Sequence, residues 1–140
     1  MRGLLRRLAG DESASAAIEL AFVAPVIAGM AVVSFGIWQT AGQNQNARAA
    51  VDAAAGYYLN GGTSDTDAAT VAANAWDAKP ADGAIATSRA YKCGTTASTE
   101  NATCSGGRTP ATYVTVTASG TVAQSLGRPT VSISRVVRVR

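Results

Sequence analysis

The sequence predicts an α+β fold: a long N-terminal helix able to span a membrane, a short second helix, and a small C-terminal antiparallel sheet. Three observations predict it. The stretch Leu20 to Trp38 is a 19-residue run without a charge. Beyond it, Ala47, Ala50, Val51, Ala54 and Tyr58 recur at helical spacing. From Ala84 onward the apolar period changes from helical to alternating. Helices first and strands afterwards is the order of a segregated α+β domain.

The first element is the apolar run. At about 1.5 Å rise per residue, a helix of this length covers roughly 28 Å, close to the ~30 Å hydrocarbon core of a bilayer. A secretory signal has a shorter apolar region followed by a cleavage site between small residues. Here the uncharged stretch instead continues through Thr40 to Asn46 into an alanine-rich helical pattern, which predicts a retained helix. Arg2, Arg6 and Arg7 precede the run and no base follows it until Arg48. Basic flanks stay cytoplasmic, so residues from about 40 onward are expected outside. Pro25 lacks a backbone donor and is expected to kink the helix, leaving the Ala21 carbonyl in need of another partner.

Glu19 sits at the mouth of this run. An ionised carboxylate is costly in a bilayer, so an acid at the edge of a membrane segment points to function. The string around it reads Asp11-Glu12-Ser13-Ala14-Ser15-Ala16-Ala17-Ile18-Glu19-Leu20-Ala21-Phe22-Val23-Ala24-Pro25. With the basic leader before it, this resembles the amino-terminal motif of TadE-like proteins, the minor pilins or pseudopilins of tight-adherence (Flp-type) pili. Ala14 stands where that family more often has Gly, and Leu20 where it more often has an aromatic residue. The resemblance implies cleavage by a prepilin peptidase between Ala14 and Ser15, making Glu19 the fifth residue of the mature chain. It thus divides the chain into a basic leader (1–14), a transmembrane helix (15–40) and an exported α+β domain (41–140) of pilin-like plan. The new α-ammonium at Ser15 then has a natural partner in Glu19 of a neighbouring subunit. Opposite charges attract strongly in low dielectric, and each is costly alone.

Gln43 to Tyr58 is expected as helix continuing the membrane segment, with Arg48 and Asp52 spaced for a weak pair. Asn60-Gly61-Gly62 breaks it. Ser64 or Asp65 caps a second helix from about Thr66 to Ala78, ended by Pro80. Its apolar face carries Ala68, Val71, Ala72, Ala75 and Trp76, with Trp76 expected as a core anchor. Three strands follow, at Ala84–Lys92, Tyr113–Val122 and Val131–Val139, the last two joined by a turn at Leu126-Gly127-Arg128-Pro129. Arg135 falls among the inward positions of the third strand, so it is either paired or displaced by a bulge. Arg135, Arg138 and Arg140 are expected along a solvated strand edge, where charge blocks unwanted pairing.

Cys93 and Cys104 flank a loop rich in Thr, Ser, Gly and Asn. The expected outside location is oxidising, so a disulfide is the natural reading. Alanine supplies much of the 47% hydrophobic content, so the core is thin and in need of such a staple.

Composition narrows the function classes. The chain has no His, two Cys, no P-loop, no paired-carboxylate motif and no dinucleotide fingerprint, so neither an enzyme nor a metal or cofactor protein is expected. The net charge of +3 is scattered without interleaved aromatics, which excludes a nucleic-acid stripe. The resemblance implies a non-catalytic pseudopilin in the assembly of an adhesive pilus, with roles in surface attachment and biofilm formation. It implies a single-pass protein of a bacterial inner membrane, with a cytoplasmic N-terminus and a periplasmic or extracellular head. The implied partners are the prepilin peptidase, the major pilin, other pseudopilins, the inner-membrane secretion platform and membrane lipid. Two other readings stand beside this one: an uncleaved single-pass scaffold of the secretion machine, and a pilus-tip adhesive module built on the Cys93–Cys104 loop.

Overall fold

A computed structural model describes residues 12–123 and 127–139, with side chains from residue 18 onward. Arg2, Arg6 and Arg7 of the basic leader, Leu126 of the expected turn and Arg140 lie outside the described residues. The elements run α1 (Glu12–Leu59), α2 (Asp65–Ala75), β1 (Ala84–Cys93), β2 (Thr96–Ser98), β3 (Ala111–Thr121) and β4 (Thr130–Val139). The chain divides into two compact units, one ending at Ile37 and the other running from Trp38.

In the first unit α1 is apolar on every side. Ile18, Phe22, Met30 and, at the start of the second unit, Trp38 are 60 to 75% exposed. A helix that is hydrophobic all round needs an apolar surrounding. It is long and apolar enough to cross a membrane. The helix runs through Pro25 without a break, minus the bond that its missing N–H would have made.

In the second unit the same helix becomes one-sided. Ala47, Ala50, Val51, Ala54, Ala55 and Tyr58 are buried, as the helical spacing predicts. The helix ends in a Schellman motif. Gly62 N–H donates to the Tyr57 carbonyl at 3.0 Å and Gly61 N–H to the Tyr58 carbonyl at 3.1 Å. Gly61 holds φ at +90°, a left-handed conformation that Cβ disfavours. Ser64 then caps α2, its hydroxyl accepting from Asp67 N–H at 3.2 Å, with Asp65 and Asp67 in the first turn.

The second helix stops at Ala75, three residues before the expected end. Pro80 does not end it. Trp76 leaves helical geometry, with ψ at 90°, and buries its indole to 4% exposure, while Ala78 takes φ 48°. Burial of the large ring outweighs the propagation of one more turn. Two side chains of α1 bond carbonyls of the segment that follows: Asn46 Nδ2 donates to the Asp77 carbonyl at 3.0 Å and Gln43 Nε2 to the Ala78 carbonyl at 3.1 Å.

The sheet has four strands, in the order β2-β1-β3-β4, all antiparallel. β2 is one strand more than expected. Register places Thr87, Val116 and Arg135 in one row and Arg89, Val114 and Val137 in the next. Val114, Val116, Ala118 and Val131 are almost wholly buried on this inner face. The core is thin: among the described residues, seven of the fifteen buried hydrophobic ones are alanines, so little apolar area is removed from water per residue. β4 is an edge strand, and Arg138 on its outer face is exposed there. Pairing of β3 with β4 is continuous through Arg135, so no bulge displaces it. Gly120 of β3 lets the 80–83 turn approach closely, since a Cβ there would meet Gly83 Cα at 3.1 Å and Pro80 Cγ at 3.2 Å.

Candidate functional site

Glu19 lies on α1 between Ile18 and Leu20, which are 60% and 65% exposed, and is itself exposed. The Ala14–Ser15 bond falls in the first turn of the same helix. First-turn N–H groups have no intrahelical partner, and helix ends open most readily. Pro25 stands six residues beyond Glu19 in the same exposed surface. The three sequence features therefore share one uninterrupted helix, in the part of it whose large side chains, from Ile18 to Trp38, are unburied.

The cysteines are joined. Cys93 ends β1 and bonds to Cys104 in the loop leading to β3, with Cα atoms 5.4 Å apart. The bond closes the loop that contains β2, whose three residues pair with Tyr91–Cys93. The described residues contain no group of three or more potential metal ligands.

Sequence reasoning missed a polar clamp between the helices and the sheet. Arg89 projects from β1 to α2, donating to Asp65 Oδ1 and to the Thr63 carbonyl, each at 2.7 Å. Tyr58 of α1 donates to the same Asp65 oxygen at 2.6 Å. Asp65 is held below its ordinary pKa by its bonds from Arg89 and Tyr58. Tyr58 is pushed up to about 12, first by burial and then by Asp65, whose charge disfavours a phenolate. One acid thus joins three segments. Arg135 is also paired, with Asp52 of α1, and this is the partner of Asp52 in place of the expected Arg48.

A groove of about 700 Å³ lies at the other end of the head. Trp38, Gly42 and Gln43 of α1 line it, together with Pro80, Asp82 and Arg128. Asp82 accepts from Thr121 N–H at 3.1 Å and from the Thr121 hydroxyl. The bond from Gln43 Nε2 to Ala78 fixes the amide orientation and leaves Gln43 Oε1 buried with no donor. Among the described residues neither ion pair involves Arg128 or Asp82. The sequence signal for this site was the run Gln43-Asn44-Gln45-Asn46, four amides that begin five residues after Trp38 closes the apolar span.

No protein-family model, curated protein or solved structure matches this chain.

Proposed function

We propose that the chain is a pseudopilin, or minor pilin, that acts in assembling a tight-adherence pilus for surface attachment and biofilm formation. The observation that carries this reading is the leader–Ala14-Ser15–Glu19–apolar run–Pro25 arrangement, resembling the TadE-like motif and continuing as one helix into a small α+β head. In this reading the protein is non-catalytic. A prepilin peptidase of a bacterial inner membrane cuts after Ala14, and the released Ser15 ammonium pairs with Glu19 of a neighbouring pilin. The head lies on the periplasmic side, where the Cys93–Cys104 bond is stable. The other partners are the major pilin, a second pseudopilin and the secretion platform.

Amino-terminal sequencing of the chain, co-expressed with a prepilin peptidase, tests the reading. A mature start at Ser15 is expected. A chain that keeps Met1 overturns processing and favours the uncleaved scaffold. With processing established, Glu19→Ala is expected to insert normally and to lower pilus number.

A further inference from the structure

The turn between α1 and α2 carries a reactive pair that the assembly role leaves unused. Asn60 is followed by Gly61, whereas the other four asparagines, Asn44, Asn46, Asn74 and Asn101, are followed by Gln or Ala. The side-chain carbonyl carbon of an asparagine is open to attack by the backbone nitrogen of the next residue. A Cβ on that residue hinders the approach, and Gly61 has none. Asn60 is exposed, so water and base reach it.

In the closed turn both reacting groups are occupied. Gly61 N–H, the nucleophile, donates to the Tyr58 carbonyl at 3.1 Å. Asn60 Nδ2, the leaving group, donates to the Gly56 carbonyl at 2.8 Å, which holds the side chain back along the helix. Two tyrosines latch the turn to α2. Tyr58 donates to Asp65 Oδ1 at 2.6 Å and Tyr57 to Asp67 Oδ2 at 3.3 Å. The Tyr57 ring also lies so close to Gly62 that a Cβ there would overlap it.

We infer that Asn60-Gly61 is a self-modification site whose chemistry is gated by the opening of this turn. In the open turn the Gly61 nitrogen gives its proton to base and bonds to Asn60 Cγ. The Cγ–Nδ2 bond breaks, and Nδ2 takes a proton from solvent and leaves as ammonia. The resulting cyclic imide takes up one water. Water at Cγ breaks the new bond and gives aspartate. Water at the main-chain carbonyl breaks the original peptide bond and gives a β-linked isoaspartate. Either product keeps the turn from closing as before. The donor to Gly56 is lost, and a carboxylate stands at the negative end of the helix dipole. The β-linkage also lengthens the main chain by one carbon, which displaces the Gly61 and Gly62 donors from the Tyr58 and Tyr57 carbonyls. Conversion is thus a one-way record of heads that have opened.

The full chain in mild detergent, incubated at neutral pH with and without enough urea to unfold the head, tests the inference. Tandem mass spectrometry locates each deamidated residue. Asn60 is expected to convert before the other asparagines, and at least about tenfold more slowly without urea than with it, because the open turn is the rare state. Tyr58→Phe is expected to raise the rate of the folded chain about fivefold, the factor for one lost hydrogen bond, and to leave the rate in urea unchanged. Equal rates with and without urea would overturn the gate. So would a folded Tyr58→Phe chain that converts no faster than the unaltered one. In the unfolded chain, earlier conversion at another asparagine, or none at Asn60, would overturn the reactive pair itself.

Discussion

Arg135 of β4 is ion-paired with Asp52 of α1, a partner 83 positions earlier in the chain. It is the one charged residue among the inward positions of its strand, and its long side chain carries the charge out to where water still reaches it. The Arg135 and Asp52 side chains remain 50% and 57% exposed.

That exposure sets the size of the effect. Solvent-screened pairs contribute about 0–1 kcal/mol. A double-mutant cycle with Asp52→Asn and Arg135→Gln, read by thermal unfolding of the full chain, is expected to give a coupling within that range. A coupling above about 2 kcal/mol would show that the pair is desolvated in solution.

The Tyr58–Asp65–Arg89 clamp makes stability depend on pH at both extremes. Asp65 has a depressed folded pKa. Its contribution is therefore present above the unfolded value and is lost as pH falls through the folded one. Because Asp65 is half-exposed, this acid limb is shallow. Tyr58 has a raised folded pKa, so its contribution is complete below about 10 and is lost as pH rises toward about 12. Two pKa units correspond to on the order of 2–3 kcal/mol for a group this buried. Tyr58→Phe is expected to cost about 1 kcal/mol at neutral pH and to flatten the alkaline limb, as measured by denaturant melts from pH 7 to 11.5. An unchanged alkaline limb would remove Tyr58 as its cause.

Gly61 holds the left-handed position of the Schellman motif. Gly61→Ala is expected to destabilise the head by about 1 kcal/mol, the cost of Cβ in that conformation. Gly42→Ala, inside a regular helix, is expected to stabilise by a similar amount. Chemical denaturation of both variants checks the contrast, and equal effects would contradict it.

The elements legible in the sequence are those with a repeating local pattern. Val114, Val116 and Ala118 alternate because one face of β3 is buried, and Ala47 to Tyr58 keep helical spacing for the same reason. β2 escaped because three residues, Thr96 to Ser98, are too few to show a period, and its pairing depends on a turn after Cys93. The end of α2 was misplaced because Pro80 is a visible stop, whereas the pull of the core on Trp76 is a tertiary effect. Likewise, Arg48 is a local neighbour of Asp52, and Arg135 becomes one only when the sheet forms. The groove was invisible for the same reason: Gln43, Asp82 and Arg128 come from three distant segments. The Cys93–Cys104 bond needed only a spacing and a compartment.

That bond has a kinetic consequence. β1 and β3 begin their pairing at Lys92 and Ala111, about 19 residues apart along the chain. Once Cys93 and Cys104 are joined, the covalent path between the pairing residues shortens to about nine steps. Loop-closure probability scales as roughly the −3/2 power of path length, so the oxidised chain meets this first β1–β3 contact about threefold more often. Every later pair of the ladder, down to Ala84 with Ser119, then zips from an end already held together. Oxidation at the tip of the hairpin thus turns the slowest long-range search in the sheet into a nearly local one.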